Sequence, residues 1–303
     1  MPSDPQKRWL EISVEAGREC VDDVVNFLGR YCVGGAVVED RPDEKARAGR
    51  VTVKGFLPIW DQETCRRLEI ALLLLGKASP ISEPRITSLE PEDWAESWKA
   101  FFPPQHIGAH TVIVPTWHEY APKPGEVVMR LDPGMAFGTG LHASTRLCLV
   151  AVERLLQPGM SVLDVGTGSG ILAISAALQG AESAQAIDID PVAVEVAREN
   201  VRLNGVEATV HVERATLGES ASGEVPLHAA GDYDLVLANI LAEVITAMAP
   251  AIARALRIGG AFVGSGIISE KAEGVVCALR DAGLVLDERL QEDDWVALIG
   301  HRA

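Results

Sequence analysis

The chain has no uninterrupted apolar run of the ~20 residues that a membrane helix requires. The longest candidate, Ile245 to Ile268, is broken by Arg254 and Arg257. The polar N-terminus shows no charged-then-apolar leader pattern, so a cytoplasmic protein with no membrane partner is expected. Cysteine is scarce. Five residues (Cys20, Cys32, Cys65, Cys148 and Cys277) form no CxxC pair, which argues against both a disulfide framework and a zinc site. The seven histidines show no HExxH spacing, so no metal is expected. Basic residues are also short, 27 Lys and Arg against 43 Asp and Glu, for a net charge of −16. Phosphate binding calls for basic patches, so nucleic acid is not expected as a direct partner. An acidic surface instead favours solubility and speeds encounter with basic proteins.

What is present suffices for two domains: 303 residues, 48% of them hydrophobic. Residues 1–90 read as a small α+β module. Trp9 to Val14 alternates like a strand, and Glu15 to Arg30 carries a helical stripe through Cys20, Val24, Val25, Phe27 and Leu28. Val33 to Val38 and Val51 to Leu57 read as strands on either side of the polar stretch Glu39 to Arg50. Gln62 to Leu75 reads as a helix and Ile81 to Leu89 as a last strand. That order, β-α-β-β-α-β, is the ferredoxin-like pattern, a frequent binding platform.

Residues 91–130 read as a connector: a helix from Pro91 to Phe101 with Trp94, Trp98 and Phe101 on one stripe, then strands at Val112–Pro115 and Val127–Leu131. Residues 131–303 alternate strand and helix. Strands are expected at Ser161–Val165, Ala184–Asp188, Thr209–Val212, Tyr233–Ala238 and Gly260–Gly264. Helices are expected at Ser169–Leu178, Pro191–Leu203, from the end of Ala238 through Leu256, and at Glu270–Ala282. A terminal hairpin fits Leu284–Leu290 and Trp295–Gly300. Such alternation implies an α/β, Rossmann-like domain with a largely parallel sheet.

Four segments carry chemistry. The first is V-L-D-V-G-T-G-S-G, Val162 to Gly170, where a buried strand feeds a glycine turn that opens a helix. Gly166, Gly168 and Gly170 permit close approach of a ligand to the backbone. Nicotinamide oxidoreductases use a similar turn, but their GxGxxG pattern needs a glycine where this chain has Ile171. The GxGxG spacing with Asp164 two residues before it is the methyltransferase form, and Asp164 can sit near the amino end of the methionine of S-adenosylmethionine. The second is Asp188, at the end of the next strand, where an acid can accept both ribose hydroxyls. Asp190 competes for that role but precedes Pro191 and suits a helix N-cap. The third is A-N-I-L, Ala238 to Leu241. Asn239 falls on the same sheet edge as Gly166 and Asp188, where it either orients an acceptor nitrogen or merely caps the next helix. The fourth is L-D-P-G-M-A-F-G-T-G-L-H-A-S-T-R, Leu131 to Arg146. It reads as a tight glycine-rich loop, with hydroxyls at Thr139, Ser144 and Thr145, able to close over a cofactor.

In these segments the sequence resembles the ribosomal protein L11 methyltransferases, the PrmA family. The family pattern L-D-P-G-x-A-F-G-T-G-T-H-x-T-T matches Leu131 to Thr145 with Leu141, Ala143 and Ser144 as departures. The resemblance covers roughly residues 90–303 through motifs, and the N-terminal module through pattern and length. It implies an S-adenosylmethionine-dependent methyltransferase in which Thr145, Gly166, Gly168, Gly170, Asp188 and Asn239 contact the donor. It also implies that the small domain grips a ribosomal large-subunit protein while the catalytic domain turns toward lysine ε-amines or the N-terminal α-amine. Two other readings stand beside it: a related lysine methyltransferase acting on another protein, such as an electron-transfer flavoprotein subunit, and a non-catalytic ribosome-binding protein. The first usually lacks an N-terminal module, and intact Gly166, Asp188 and Asn239 argue against the second.

Overall fold

A computed structural model of the chain describes residues 9–17, 20–29, 31–32, 36–39, 50–59, 61–77, 79–89, 103–131, 142–218 and 225–303. The expected Pro91–Phe101 helix, the polar stretch over 40–49 and residues 132–141 of the glycine-rich run lie outside the described residues. The chain divides into two compact units, Met1–Pro103 and Pro104–Ala303.

The first unit is an antiparallel four-stranded sheet in the order β2-β3-β1-β4. Its strands are β1 (Trp9–Gly17), β2 (Ala36–Glu39), β3 (Arg50–Pro58) and β4 (Arg85–Leu89), with helices α1 (Val21–Gly29) and α2 (Gln62–Leu75) between them. This is the ferredoxin-like arrangement: β3 lies between β2 and β1, pairing antiparallel with both. Alternate residues of β1 and β3 (Leu10, Ile12, Val14, Ala16 and Val51, Val53, Leu57) face Val24, Leu28, Leu68 and Leu72 of the helices. Two boundaries differ from expectation. The period-2 pattern runs on through Ala16 to Gly17, which pairs with Arg50, so α1 begins at Val21 and not at Glu15. Ile81 makes only an isolated bridge to Ala16, and the last strand starts at Arg85.

The second unit opens with a three-stranded sheet, β5 (Gln105–Ile107), β6 (Thr111–Pro115) and β7 (Val127–Leu131), of which β5 was not anticipated. A helix follows, α3 (Ala143–Leu155), where the sequence pattern suggested the tail of a loop. Eight of its residues, Ala143 to Leu149 except Arg146 plus Ala151 and Val152, are buried, and Arg146, Val150, Glu153 and Arg154 form the less buried stripe.

The main sheet has seven strands: β8 (Ser161–Val165), β9 (Ser183–Asp188), β10 (Val210–Arg214), β13 (Tyr233–Asn239), β14 (Leu256–Ile268), β15 (Leu284–Glu292) and β16 (Trp295–Arg302). A short parallel pair, β11 (Thr216–Leu217) and β12 (Pro226–Leu227), stands apart. The order is β10-β9-β8-β13-β14-β16-β15. The first five run parallel and β16 is antiparallel to both β14 and β15, closing the terminal hairpin. Helices α4 (Ile171–Leu178), α5 (Pro191–Leu203), α6 (Ala242–Ala255) and α7 (Ala272–Asp281) supply the crossovers.

Strand residues alternate between two cores. Val162, Leu235 and Leu237 pack with α3 and α4, while Leu163, Val165, Val236 and Ala238 pack with α6 and α7. Helices therefore cover both faces. The chain winds one way from β8 to β9 and the other way from β8 to β13. A crevice thus opens beyond the carboxyl ends of β8 and β13, the place where open α/β sheets bind ligands. Among the described residues no helix is long and apolar enough to cross a membrane.

Candidate active site

The glycine turn after β8 is built around Asp164. This residue is 1% exposed, and its Oδ2 accepts the Thr167 hydroxyl at 2.6 Å and the Ala173 N–H at 3.2 Å. The carboxylate thereby caps α4, which otherwise starts at a glycine without a side-chain cap. Its Oδ1 is buried with no hydrogen-bond partner. Burial pushes the Asp164 carboxyl up to about 6; the Thr167 and Ala173 bonds oppose that rise and the Asp188 charge adds to it. An orphaned carboxylate oxygen beneath a ligand crevice suits an incoming cationic donor such as an ammonium group.

All three motif glycines have positive φ, 70° at Gly166, 55° at Gly168 and 83° at Gly170. At Gly166 the need is also steric, because a Cβ there would lie 2.3 Å from Cγ2 of Ile240. Gly266, just past Ser265 of β14 and at φ 79°, meets the same residue from the other side: a Cβ would lie 2.3 Å from the Ile240 carbonyl oxygen. Ile240 is therefore held between the ends of β8 and β14.

Asp188 ends β9. Its Oδ2 accepts the Gly168 N–H at 2.9 Å and its Oδ1 the Asp190 N–H at 3.0 Å. A carboxylate has about four acceptor sites, so each oxygen retains one for a ligand hydroxyl. Asp190 is engaged elsewhere: its Oδ1 accepts the Val192 N–H at 2.8 Å as the N-cap of α5, with Pro191 at the first helical position. The two acids thus do different work.

Asn239 ends β13, and its Nδ2 donates to the Thr145 hydroxyl at 3.1 Å. That bond fixes the amide so that Oδ1 is the end left to accept. Asn239 does not cap α6: the N-cap is Leu241, with no side-chain bond. Thr145 is 2% exposed and sits in the first turn of α3, which relocates it from the expected loop to a helix end. Thr145 and Asn239 are brought together across the chain, as are Gly168 and Asp188.

Four neighbouring residues have roles that the sequence reading did not assign, although His142 and Arg146 lie within its glycine-rich run. His142 caps α3, its Nδ1 accepting the Ser144 N–H at 3.3 Å, and its ring stands edge-on to Trp295 at 4.4 Å. Burial, and then the Arg146 charge, hold His142 below the usual imidazole range, in the neutral form that can accept. Arg146 forms a two-pronged ion pair with Glu292 at the end of β15, beside the turn of the terminal hairpin. None carries a motif glycine or a repeat, and only the run G-S-G at Gly264–Gly266 offered a hint that β14 also reaches the crevice. Among the described residues no group of three His, Cys, Asp or Glu side chains is placed to hold a metal ion.

Comparison with known proteins follows the same lines. The family model of ribosomal protein L11 methyltransferase (PrmA) matches residues 8–303. A ribosomal protein L11 methyltransferase of Chloroflexus aurantiacus is 44% identical over 97% of this chain and 98% of its own length. One from Pelotomaculum thermopropionicum is 42% identical over 96% and 97%. Among solved structures, the ribosomal protein L11 methylase of Lactobacillus delbrueckii subsp. bulgaricus is 33% identical with a TM-score of 0.59, covering 66% of this chain and 99% of that one. The family match takes in the N-terminal module, which a flavoprotein-directed lysine methyltransferase would leave without explanation.

Proposed function

The chain belongs to the ribosomal protein L11 methyltransferase family, and on that premise we propose that it transfers the methyl group of S-adenosylmethionine to amino nitrogens of ribosomal protein L11. The donor supplies an electrophilic methyl carbon on a cationic sulfonium. The protein's own residues bind and align. The free acceptor sites of Asp188 take the two ribose hydroxyls, and the orphaned Oδ1 of Asp164 takes the methionine ammonium. Gly166, Gly168 and Gly170 let the backbone lie close against the donor, and the Thr145 hydroxyl borders it.

On the acceptor side, Asn239 orients the amine. With Nδ2 committed to Thr145, Oδ1 is free to accept an N–H of the nucleophile and aim its lone pair along the axis of displacement. A lysine ε-amine has an ordinary pKa of about 10.4, so the neutral form has to be selected. The neighbouring sulfonium charge favours it, since a second cation there would be repelled. No side chain of the site is assigned as a dedicated base. The module of residues 1–90 grips the substrate and residues 131–303 carry out transfer, in the cytoplasm and without direct contact to nucleic acid. The net charge of −16 complements a basic ribosomal protein.

The observation that carries this reading is the convergence, at one sheet edge, of a ribose-ready carboxylate and an amide whose acceptor end is left open. The test is transfer of labelled methyl from S-adenosylmethionine to purified ribosomal protein L11 beside an extract of other proteins. Labelling of L11 that is lost in Asp188→Ala is the expected result. Labelling confined to another protein would overturn the substrate, and absence of labelling would overturn the activity.

A further inference from the structure

We propose that the Arg146–Glu292 ion pair is a positioning device for the acceptor side of the site, acting on Asn239 through the first turn of α3. The inference rests on the reading of Asn239 given above. Three observations carry it. Arg146 directly follows Thr145, the residue that fixes the Asn239 amide. Its Nε donates to both Glu292 oxygens, at 3.0 and 3.2 Å, and Nη2 also donates to Oε1. One helical turn earlier His142 packs edge-on against Trp295, three residues beyond Glu292. The start of α3 is therefore pinned to the terminal hairpin at two points and to the end of β13 at a third.

The hairpin is itself fixed to the sheet. Ser265, fully buried, donates to the Val296 carbonyl at 2.9 Å, and Ser265 is the register partner of Asn239. A closed ring results: Asn239 to Thr145 to Arg146 to Glu292, then along the hairpin to Val296, Ser265 and back to Asn239. Opening it at the ion pair leaves the first turn of α3 held at fewer points. The side chains of Arg146 and Glu292 are 33% and 37% exposed, so the pair contributes little to global stability. A bidentate guanidinium–carboxylate contact instead fixes direction, and small displacements of an aligning group have large effects on rate.

The experiment is a mutant cycle on methyl transfer with Arg146→Ala, Glu292→Ala, the double variant, and each in an Asn239→Ala background. Each single variant is expected to lose about tenfold in kcat, with donor KM within about threefold of wild type and melting temperature within about 2 °C. The double variant should be no worse than either single, and neither change should cost anything further once Asn239 is alanine. Unchanged kcat in the single variants, losses that multiply, or a further loss in the Asn239→Ala background would overturn the inference. If Asn239→Ala itself keeps full kcat, the reading of Asn239 falls and takes the inference with it.

Discussion

The two sides of the crevice are built by different means. The proposed donor side comes, apart from Thr145, from one continuous stretch, Asp164 to Asp190, and is held by carboxylates that accept backbone N–H groups of Gly168, Ala173, Asp190 and Val192. The acceptor side is gathered from α3, the end of β13 and the terminal hairpin, through bonds between side chains: Asn239 to Thr145 and Arg146 to Glu292. A backbone-built half depends on local conformation and is nearly complete once β8, β9 and their turns form. A side-chain-built half exists only after the sheet has closed as far as β16. The halves meet at Ile240, which both Gly166 and Gly266 must clear.

The contact at Ile240 offers the strongest way to break the comparison. Gly166→Ala places a Cβ 2.3 Å from Ile240 Cγ2 and forces φ 70° on a residue with a side chain. Both sides should fail together, with donor affinity by calorimetry and methyl transfer each down about 100-fold. Adding Ile240→Ala relieves only the overlap and should restore about tenfold. Wild-type donor binding in Gly166→Ala would show that the halves are not joined there. Next in size, Asn239→Ala and Asp188→Ala should separate them. The first is expected to lower kcat about 100-fold and donor affinity about fivefold, and the second to weaken donor binding about 50-fold. Equal losses of affinity in both variants would erase the distinction.

The same division explains what could be read from the sequence. The glycine spacing, Asp188 and the strand–helix alternation are local signals, and the main-sheet elements fall within a few residues of their expected places. The exceptions are β14, which begins at Leu256 and not at Gly260, and α3. That helix was hidden because its buried face carries the polar Ser144 and Thr145 while the apolar Val150 lies on its less buried face, which blurs the stripe by which helices are recognised. Asn239 was legible through its neighbours in A-N-I-L. The roles of His142, Arg146, Glu292 and Trp295 were not, because they arise only when the terminal hairpin is brought against α3, a contact between residues 146 positions apart.

Asp164 sharpens the comparison from the donor side. Its carboxyl is raised to about 6 from an ordinary 3.8, so folding favours the protonated acid relative to the unfolded chain. The stability linked to this group is fully present below the unfolded value and is lost as pH rises through about 6. The loss is on the order of 3 kcal/mol. Asp164→Asn avoids burying a charge and should raise the melting temperature of the donor-free protein by several degrees at pH 8, with little gain at pH 4. Donor binding should run the other way. Pairing with an ammonium needs the carboxylate, so wild-type affinity should weaken as pH falls through about 6, while the variant's weaker affinity stays flat. Titration calorimetry across pH 5 to 8 checks this, and a parallel pH dependence in both proteins would remove Asp164 from donor binding.

The smallest effect is expected at Asp190, and it tests whether neighbouring acids on the donor side have been told apart. The Asp190 side chain caps α5, while its backbone N–H supports Asp188. Asp190→Ala removes the cap and keeps the N–H. Stability should fall by about 1 kcal/mol, seen as a melting shift of about 2–4 °C. Donor affinity should change by less than about threefold, because both Asp188 oxygens keep their partners and their free acceptor sites. A loss of donor affinity as large as that of Asp188→Ala would mean that the two acids do not act separately, since the placement of the Asp188 carboxylate would then depend on how α5 begins.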